Sequence, residues 1–219
     1  MKGARFKLTG IIMAVLALVA STSGPACAAP LKILAFGTSL TQSFGVPPGM
    51  ELPAILQAKL DAAHIAAHII NAGVSGDTSA DGLSRIDWSL ADHPDAAMVE
   101  LGSNDALRGI DPRESEQNIS SVLEKLTAAH VPVLLLGMKA PRNLGREYAT
   151  AFDAIYPRLA ARYHAILYPF VLDGVALDPK LNQEDGIHPN PAGVKVIAAR
   201  LFPYVQKLIA EAQHRKDAR

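Results

Sequence analysis

The chain has one cysteine among its 219 residues, few aromatic side chains (5%) and no formal net charge, with 21 basic and 21 acidic residues. A single cysteine excludes a disulfide framework and any cysteine-rich metal site. Because the charge is balanced and no basic block interrupts the chain, nucleic acid is excluded as the main partner. Hydrophobic residues make up 49% of the sequence, which is enough for a full core and excludes wholesale disorder.

Residues 1–28 have the pattern of a secretory signal. They begin with basic residues, continue with an apolar run at 8–20, and end in a small-residue cleavage pattern around Cys27. The apolar run is shorter than the ~20 residues that a membrane-spanning helix needs. We therefore predict a cleaved signal over 1–28, a folded domain over 29–219, no stable membrane span, and a periplasmic or secreted location. Lipidation of Cys27 and an uncleaved anchor are the alternatives.

Beyond the signal, short apolar runs alternate with helical patterns. Continuous apolar runs of this length are typical of strands buried on both faces of a sheet. Each of the first three stops at a glycine or just before one. The runs lie at 31–36, 66–72, 95–101, 132–137 and 165–170.

The segments between these runs predict helices. Apolar residues share one face at 51–63, and a last helix is predicted to begin after Asn190 and to be bent or broken at Pro203. A helix is also predicted over Tyr148–Tyr163. The alternating order predicts one α/β domain, with parallel strands, right-handed crossovers and helices on both faces. In such a doubly wound sheet a ligand binds beyond the carboxyl ends of the strands.

The loops at those ends carry polar side chains suited to acyl transfer. Ser39 comes two residues after the glycine that ends the first strand, where its hydroxyl and N–H can face a pocket. Gly73 follows the second strand and can present a bare N–H, and Asn104 follows the third and can present an amide. Asp185 precedes His188 by three residues, so its carboxylate can accept from Nδ1 and leave Nε2 facing a serine.

Each of these residues has an ordinary structural interpretation when taken alone. A serine after a strand is commonly a helix cap, a glycine a turn residue, and an asparagine a loop cap. The Asp185–His188 pair by itself could be a structural hydrogen bond or part of a metal site. Their joint placement after the correct strands favours catalysis.

Four segments of the chain resemble the sequence blocks of the SGNH (GDSL-like) hydrolase family: FGTSLTQSFG (36–45), NAGVSGDTS (71–79), VELGSND (99–105) and DGIHPN (185–190). Three segments resemble more narrowly the bacterial thioesterase/arylesterase/lysophospholipase branch of that family: SGDTSADGLSRI (75–86), VELGSNDALRG (99–109) and FDAIYPRLA (152–160). The resemblance implies a three-layer α/β/α, flavodoxin-like fold with a five-stranded parallel sheet. It also implies hydrolysis of carboxylic esters, including aryl esters, acyl thioesters and lysophospholipid-like lipids.

By this resemblance Ser39, Asp185 and His188 form a catalytic triad. The oxyanion hole consists of Ser39, Gly73 and Asn104. No metal and no organic cofactor is expected, and the partner is a small-molecule ester or lipid. The chain departs from the family pattern at Thr38, where the family usually has aspartate. The absence of this aspartate should alter how the turn around Ser39 is held without abolishing catalysis.

The acyl-binding residues are predicted from the segment that directly follows Asn104. In the resembled branch this segment is a mobile loop over the acyl chain, so Leu107 and Ile110 are expected to offer apolar surface and Arg108 to meet an anionic headgroup. Residues 141–145 are a second candidate wall. Two other functions stay open: a carbohydrate O-acetyl esterase of the same fold, which needs a polar cleft, and a non-catalytic ligand-binding module.

Overall fold

The computed structural model describes residues 29–218, so the predicted signal at 1–28 lies outside the described residues. The strands within that range are β1 (Leu31–Gly37), β2 (Ala67–Gly73), β3 (Ala96–Glu100), β4 (Val133–Leu136) and β5 (Ile166–Tyr168). They form one sheet in the order β2-β1-β3-β4-β5, and all neighbouring strands are parallel. This order confirms the predicted flavodoxin-like sheet.

Helices cover both faces of the sheet and complete a three-layer α/β/α fold. The helices are α1 (Ser39–Gln42), α2 (Leu52–Ala62), α3 (Ser79–Leu90), α4 (Ser103–Arg108), α5 (Pro112–Ala128), α6 (Arg146–Asp153), α7 (Ile155–Tyr163) and α8 (Pro191–Asp217). On one face α2 packs against α8, and on the other α5 packs against both α3 and α7. No helix among residues 29–218 combines the length and the apolar character needed to cross a membrane.

The register of the two central strands determines where the functional loops begin. β1 and β3 are buried on both faces, with Ile33 and Val99 fully inaccessible, which explains their continuous apolar sequences. In the sheet register Gly37 pairs with Gly73 on one side and with Glu100 on the other. Because these residues end their strands, the loops that follow start at one level along the same edge of the sheet.

The predicted single helix over Tyr148–Tyr163 is two helices that meet at Ala154. Pro157 explains the division, since proline has no N–H to donate to the carbonyl four residues earlier. The division puts Pro157 in the first turn of α7, where a missing N–H costs nothing.

The last helix was predicted to be bent or broken at Pro203, and of these two outcomes the break is wrong. α8 continues through Pro203 from Pro191 to Asp217. Pro203 lies on the exposed side of the helix, so water can hydrate the carbonyl of Ala199 that loses its donor. Leu201 and Val205, on either side of Pro203, are fully buried, and this packing holds the helix together.

Candidate active site

Ser39 lies at the first position of α1, immediately beyond β1. Its side chain is almost fully buried, at 7% exposure of the residue. The N–H of the first residue of a helix has no partner inside the helix, and within residues 29–218 that of Ser39 has no protein acceptor. The turn therefore presents a hydroxyl and a free N–H from one residue.

His188 joins Ser39 to Asp185 by hydrogen bonds. Its Nε2 lies 2.9 Å from Oγ of Ser39, and its Nδ1 lies 2.7 Å from Oδ2 of Asp185. The other carboxylate oxygen accepts the N–H groups of Ile187 and His188, each at 3.0 Å. Partial burial by itself raises the pKa of Asp185, but these bonds from His188 and Ile187 outweigh it, so the pKa lies below its usual value. The carboxylate thus stays ionised and can hold the imidazole in one orientation.

The segment that carries His188 is fixed from both sides. The carbonyl of His188 accepts the N–H of Gln183 at 2.8 Å, and Asn182 forms a bridge with Pro189. Just beyond, the Asn190 side chain caps α8 by accepting the N–H groups of its first turn. The imidazole therefore keeps its position without help from the substrate.

Asn104 lies at the start of α4, beside the loop that follows β2. Its Nδ2 donates to the carbonyl of Asp77 at 2.8 Å, which leaves the second amide hydrogen for another acceptor. The next residue, Asp105, is fully buried and accepts the N–H of Ser79 at 2.8 Å and the hydroxyl of Ser115 at 3.1 Å. Asp105 therefore anchors α4 to α3 and α5 and fixes the position of Asn104.

Gly73 differs from the other two predicted oxyanion donors in the hydrogen bonding of its N–H. This N–H donates to Oδ1 of Asn71 at 3.0 Å, so the amide is already engaged. The lack of a side chain at Gly73 is also needed for packing, because a Cβ at this position would approach the backbone nitrogen of Gln42 to 2.3 Å. Gly76, three residues along, is exposed with φ +88°, and within the described residues its N–H has no acceptor.

Arg85 connects the strand ends and was missed at the sequence level. Its guanidinium donates to the carbonyls of Gly37 at 2.8 Å and Ala72 at 2.9 Å, and it pairs with Asp77 at 2.6 Å. It also stacks over the ring of Phe36, 4.1 Å from the centroid. One side chain of α3 therefore connects β1, β2 and the loop after β2 (residues 74–78), which we call the second loop.

A buried carboxyl lies directly beneath the turn of Ser39. Glu100, at 1% exposure, accepts the N–H of Thr38 at 2.9 Å and the hydroxyls of Thr38 and Thr41 at 3.0 and 3.1 Å. Burial raises the pKa of Glu100 above its ordinary value, and the hydrogen bonds from Thr38 and Thr41 oppose that rise only in part. Thr38 has no carboxyl of its own, unlike the aspartate usual at this position, and the turn is held instead by its hydrogen bonds to the carboxyl of Glu100 in β3.

Replacing Glu100 by glutamine is expected to change how stability depends on pH. A raised pKa means that the native state binds the proton more tightly than the unfolded chain does. The free energy of unfolding of the unaltered protein should therefore fall as pH rises from the ordinary value of 4.5 through the native pKa. Glu100→Gln has no such titration, so denaturant unfolding across this range should show a flatter profile.

Glu100→Ala is the matched variant for that experiment. It leaves the Thr38 N–H and the Thr41 hydroxyl without their acceptor, so it should lower the free energy of unfolding by about 1–3 kcal/mol at every pH. Equal pH slopes for Glu100→Gln and the unaltered protein would contradict the raised pKa.

A cavity of about 520 Å³ opens beside Ser39 and His188. Among the three predicted substrate-binding residues, Leu107 lines this cavity. Arg108 and Ile110 do not: the Arg108 guanidinium donates to the carbonyl of Gly76 at 2.8 Å, and the Ile110 carbonyl accepts the Tyr148 hydroxyl at 2.8 Å. The segment forms helix α4, which ends at Arg108 and turns the side chain of Arg108 towards the second loop.

The remaining walls come from the loops after β4 and β5, and most of their side chains are apolar. Pro141, Arg142 and Asn143 of the second candidate wall, 141–145, line the cavity as expected. Sequence reasoning missed the other residues because they carry no motif; their only signal is that they follow the carboxyl ends of strands. The missed residues of these two loops are Met138, Lys139, Ala140, Phe170, Leu172, Ala176 and Leu177. Within residues 29–218, no group of three or more His, Cys, Asp or Glu side chains is arranged to hold a metal ion.

Comparison with known proteins gives consistent matches across the described fold. A profile of the GDSL-like Lipase/Acylhydrolase family matches residues 35–196. The chain is 39% identical over 183 residues to thioesterase 1/protease 1/lysophospholipase L1 of Escherichia coli K12, covering 83% of this chain and 86% of that protein. It is 37% identical to Esterase TesA of Pseudomonas aeruginosa PAO1, covering 83% and 91%. The crystal structure of AlinE4, an SGNH-hydrolase family esterase, superposes with a TM-score of 0.69 at 48% identity, covering 81% of this chain and 96% of that one.

Proposed function

The chain belongs to the GDSL-like lipase/acylhydrolase family and is a hydrolase of ester bonds, and we propose that it acts as a serine esterase through Ser39, His188 and Asp185. The observation that carries this proposal is the hydrogen-bonded chain from Ser39 Oγ to His188 Nε2 at 2.9 Å and from Nδ1 to Asp185 at 2.7 Å. This is the connectivity that a nucleophile, a general base and an orienting carboxylate require.

The first chemical step follows from that connectivity. A serine hydroxyl is a weak nucleophile until a base accepts its proton, and Nε2 of His188 is within reach of Oγ. Attack on the ester carbonyl forms the acyl-enzyme, while the imidazolium gives its proton to the departing alcohol or thiol. Asp185 stabilises the imidazolium through Nδ1, and its lowered pKa keeps it ionised for this purpose. Water then repeats the sequence on the acyl-enzyme and restores Ser39.

The oxyanion formed in each step needs donors that the resting protein does not use. The N–H of Ser39 and the second amide hydrogen of Asn104 meet this condition. For the second loop we propose Gly76 in place of Gly73, since the N–H of Gly73 donates to Asn71 whereas that of Gly76 has no acceptor among residues 29–218. Donors fixed before the reaction stabilise developing charge without reorganisation.

The proposed substrates are carboxylic esters with an apolar acyl group, including aryl esters, acyl thioesters and lysophospholipid-like lipids. The mainly apolar lining of the cavity supports this choice over a carbohydrate O-acetyl ester, which would need a polar cleft. The names of the relatives, thioesterase, lysophospholipase and esterase, support the same range of acyl compounds. A binding module without activity has no need for the hydrogen-bonded Ser39–His188–Asp185 chain.

Turnover of p-nitrophenyl esters of increasing acyl length tests the substrate class. Each buried CH₂ can contribute up to ~0.8 kcal/mol, so kcat/KM should rise from acetate to acyl chains of about six carbons or more. In Ala176→Phe, which adds a ring at an exposed residue of the cavity wall, acetate turnover should persist while that of the longer esters falls. A maximum at acetate in the unaltered protein would favour the carbohydrate esterase instead.

We also propose export to the periplasm or beyond. Residues 1–28 supply the support, with an apolar run after basic residues and a cleavage pattern at Ala28. The processed chain would contain no cysteine, which suits an oxidising compartment. The mass of the protein recovered from the periplasmic fraction should correspond to a chain that begins at Ala29, and an unprocessed mass there would contradict the proposal.

A further inference from the structure

Four large apolar side chains are open to solvent at or next to the cavity: three line it, and the fourth lies beside His188. Leu107, Leu177 and Ile187 line the cavity and are 49%, 93% and 45% exposed. Phe44, which is 51% exposed, packs its ring 5.0 Å from the imidazole of His188. We call these four residues the apolar rim. Scattered apolar residues at a surface need no explanation, but a cluster around one opening marks an interaction site.

Leu177 gives the clearest sign that the apolar rim serves a purpose other than folding. Its φ of 65° places it in the left-handed region, which costs conformational energy for any residue other than glycine. Among the non-glycine residues of 29–218 with positive φ, it is the only apolar one. At 93% exposure its side chain gains almost no packing in return.

The turn that presents Leu177 is held firmly by hydrogen bonds. The Asn182 side chain lies beneath it and donates to the carbonyls of Val175 at 2.7 Å and Asp178 at 2.8 Å. The N–H of Ala176 donates to the carbonyl of Leu172 at 2.9 Å. Leu177 is thus fixed in an outward position and does not reach solvent through local disorder.

We propose that the apolar rim docks onto a lipid surface, from which the acyl chain passes directly into the cavity. This docking proposal rests on the proposed esterase function and adds how the lipid substrate reaches the cavity. Three of the four rim side chains, Leu107, Leu177 and Ile187, also line the cavity, so their apolar surface continues to Ser39. With the rim seated in lipid, an acyl chain moves from one apolar environment to another without exposing its CH₂ groups to water.

The lone tryptophan makes a direct test possible. Trp88 is 83% exposed on the last turn of α3, near the edge of the sheet where β3 begins and away from the carboxyl ends that carry Ser39. In a Trp88→Phe background, Leu177→Trp places a single reporter on the apolar rim. Its fluorescence should shift to shorter wavelength when phosphatidylcholine vesicles are added, whereas Trp88 of the unaltered protein should not shift.

All of these proteins are used with Ser39→Ala, so that hydrolysis does not alter the vesicles. Docking is then measured apart from catalysis: hydrolysis of dissolved esters by the protein with Ser39 intact tests the proposed function, and the fluorescence shift tests the rim. An unshifted reporter at position 177 would overturn the docking proposal. A shift that depends on protein concentration without vesicles would also overturn it, because it would show that a second copy of the chain covers the rim.

A matched pair of serine substitutions gives an independent measurement by vesicle cosedimentation. Leu177→Ser and Trp88→Ser each remove one large exposed apolar side chain, so neither should disturb the fold, which circular dichroism can verify. Leu177→Ser should weaken vesicle binding about tenfold, while Trp88→Ser should leave it unchanged. The two variants have the same N-terminus, so any contribution of residues 1–28 to vesicle binding is equal in both and does not affect the comparison. Equal binding by the two variants would overturn the proposal.

Discussion

Replacing Ser39 by alanine is expected to lower ester turnover by at least ~10³-fold while leaving the fold intact. Without Oγ, the imidazole of His188 has no hydroxyl to deprotonate at 2.9 Å, and no acyl-enzyme can form. The residual rate would come from binding and from the oxyanion donors alone. The measurement is kcat for a p-nitrophenyl ester, together with covalent labelling by an organophosphonate, which Ser39→Ala should abolish.

Ser75 provides the matched control for this substitution. It lies exposed on the second loop, and among residues 29–218 its one hydrogen bond runs from its N–H to the Gln42 side chain at 3.0 Å. Ser75→Ala should therefore keep both turnover and labelling. If Ser39→Ala instead retains near-normal turnover, the nucleophile is a different residue. Ser103, which lines the same cavity, then becomes the first candidate.

The parallel sheet and its functional edge follow from patterns that depend only on local sequence. Continuous apolar runs predict doubly buried strands, and β1 and β3 have that burial. Alternation with helices makes the strands parallel, so all their carboxyl ends face one way. Ser39 and Asn104 could therefore be placed at one edge although 64 intervening residues separate them in the sequence.

What the sequence did not predict depends on the directions of individual side chains. Glu100 reads as part of an apolar strand, and its contact with Thr38 depends on the β1–β3 register. Arg85 has the spacing of an ordinary helix surface residue, yet its guanidinium reaches the carbonyls of two strands. For Arg108 the sequence predicted a contact that the structure does not show. Its position after Asn104 suggested a substrate contact, but its side chain points to the carbonyl of Gly76.

The two glycines of the second loop show why a motif alone does not assign a backbone donor. Neither glycine has a side chain. Gly73 is the last residue of β2, and Gly76 lies three residues beyond it. Only the hydrogen-bond pattern separates them: the side chain of Asn71 occupies the N–H of Gly73. A donor assignment of this kind requires knowledge of every competing acceptor, which the sequence does not provide.

Replacing Asn104 by alanine is expected to lower kcat by about 10²–10³-fold, or ~2.7–4 kcal/mol, with a much smaller change in KM. The reason is that the amide acts on the charge of the transition state, which the bound ester does not yet carry. Asn104 also bonds to the carbonyl of Asp77, so part of any loss could come from a displaced loop. Arg108→Ala separates these effects, because Arg108 ties the same helix to the same loop through Gly76 at 2.8 Å. If the loop tie alone mattered, both variants would lose similar activity toward an uncharged aryl ester; if Asn104 stabilises the oxyanion, only Asn104→Ala shows the large loss in kcat.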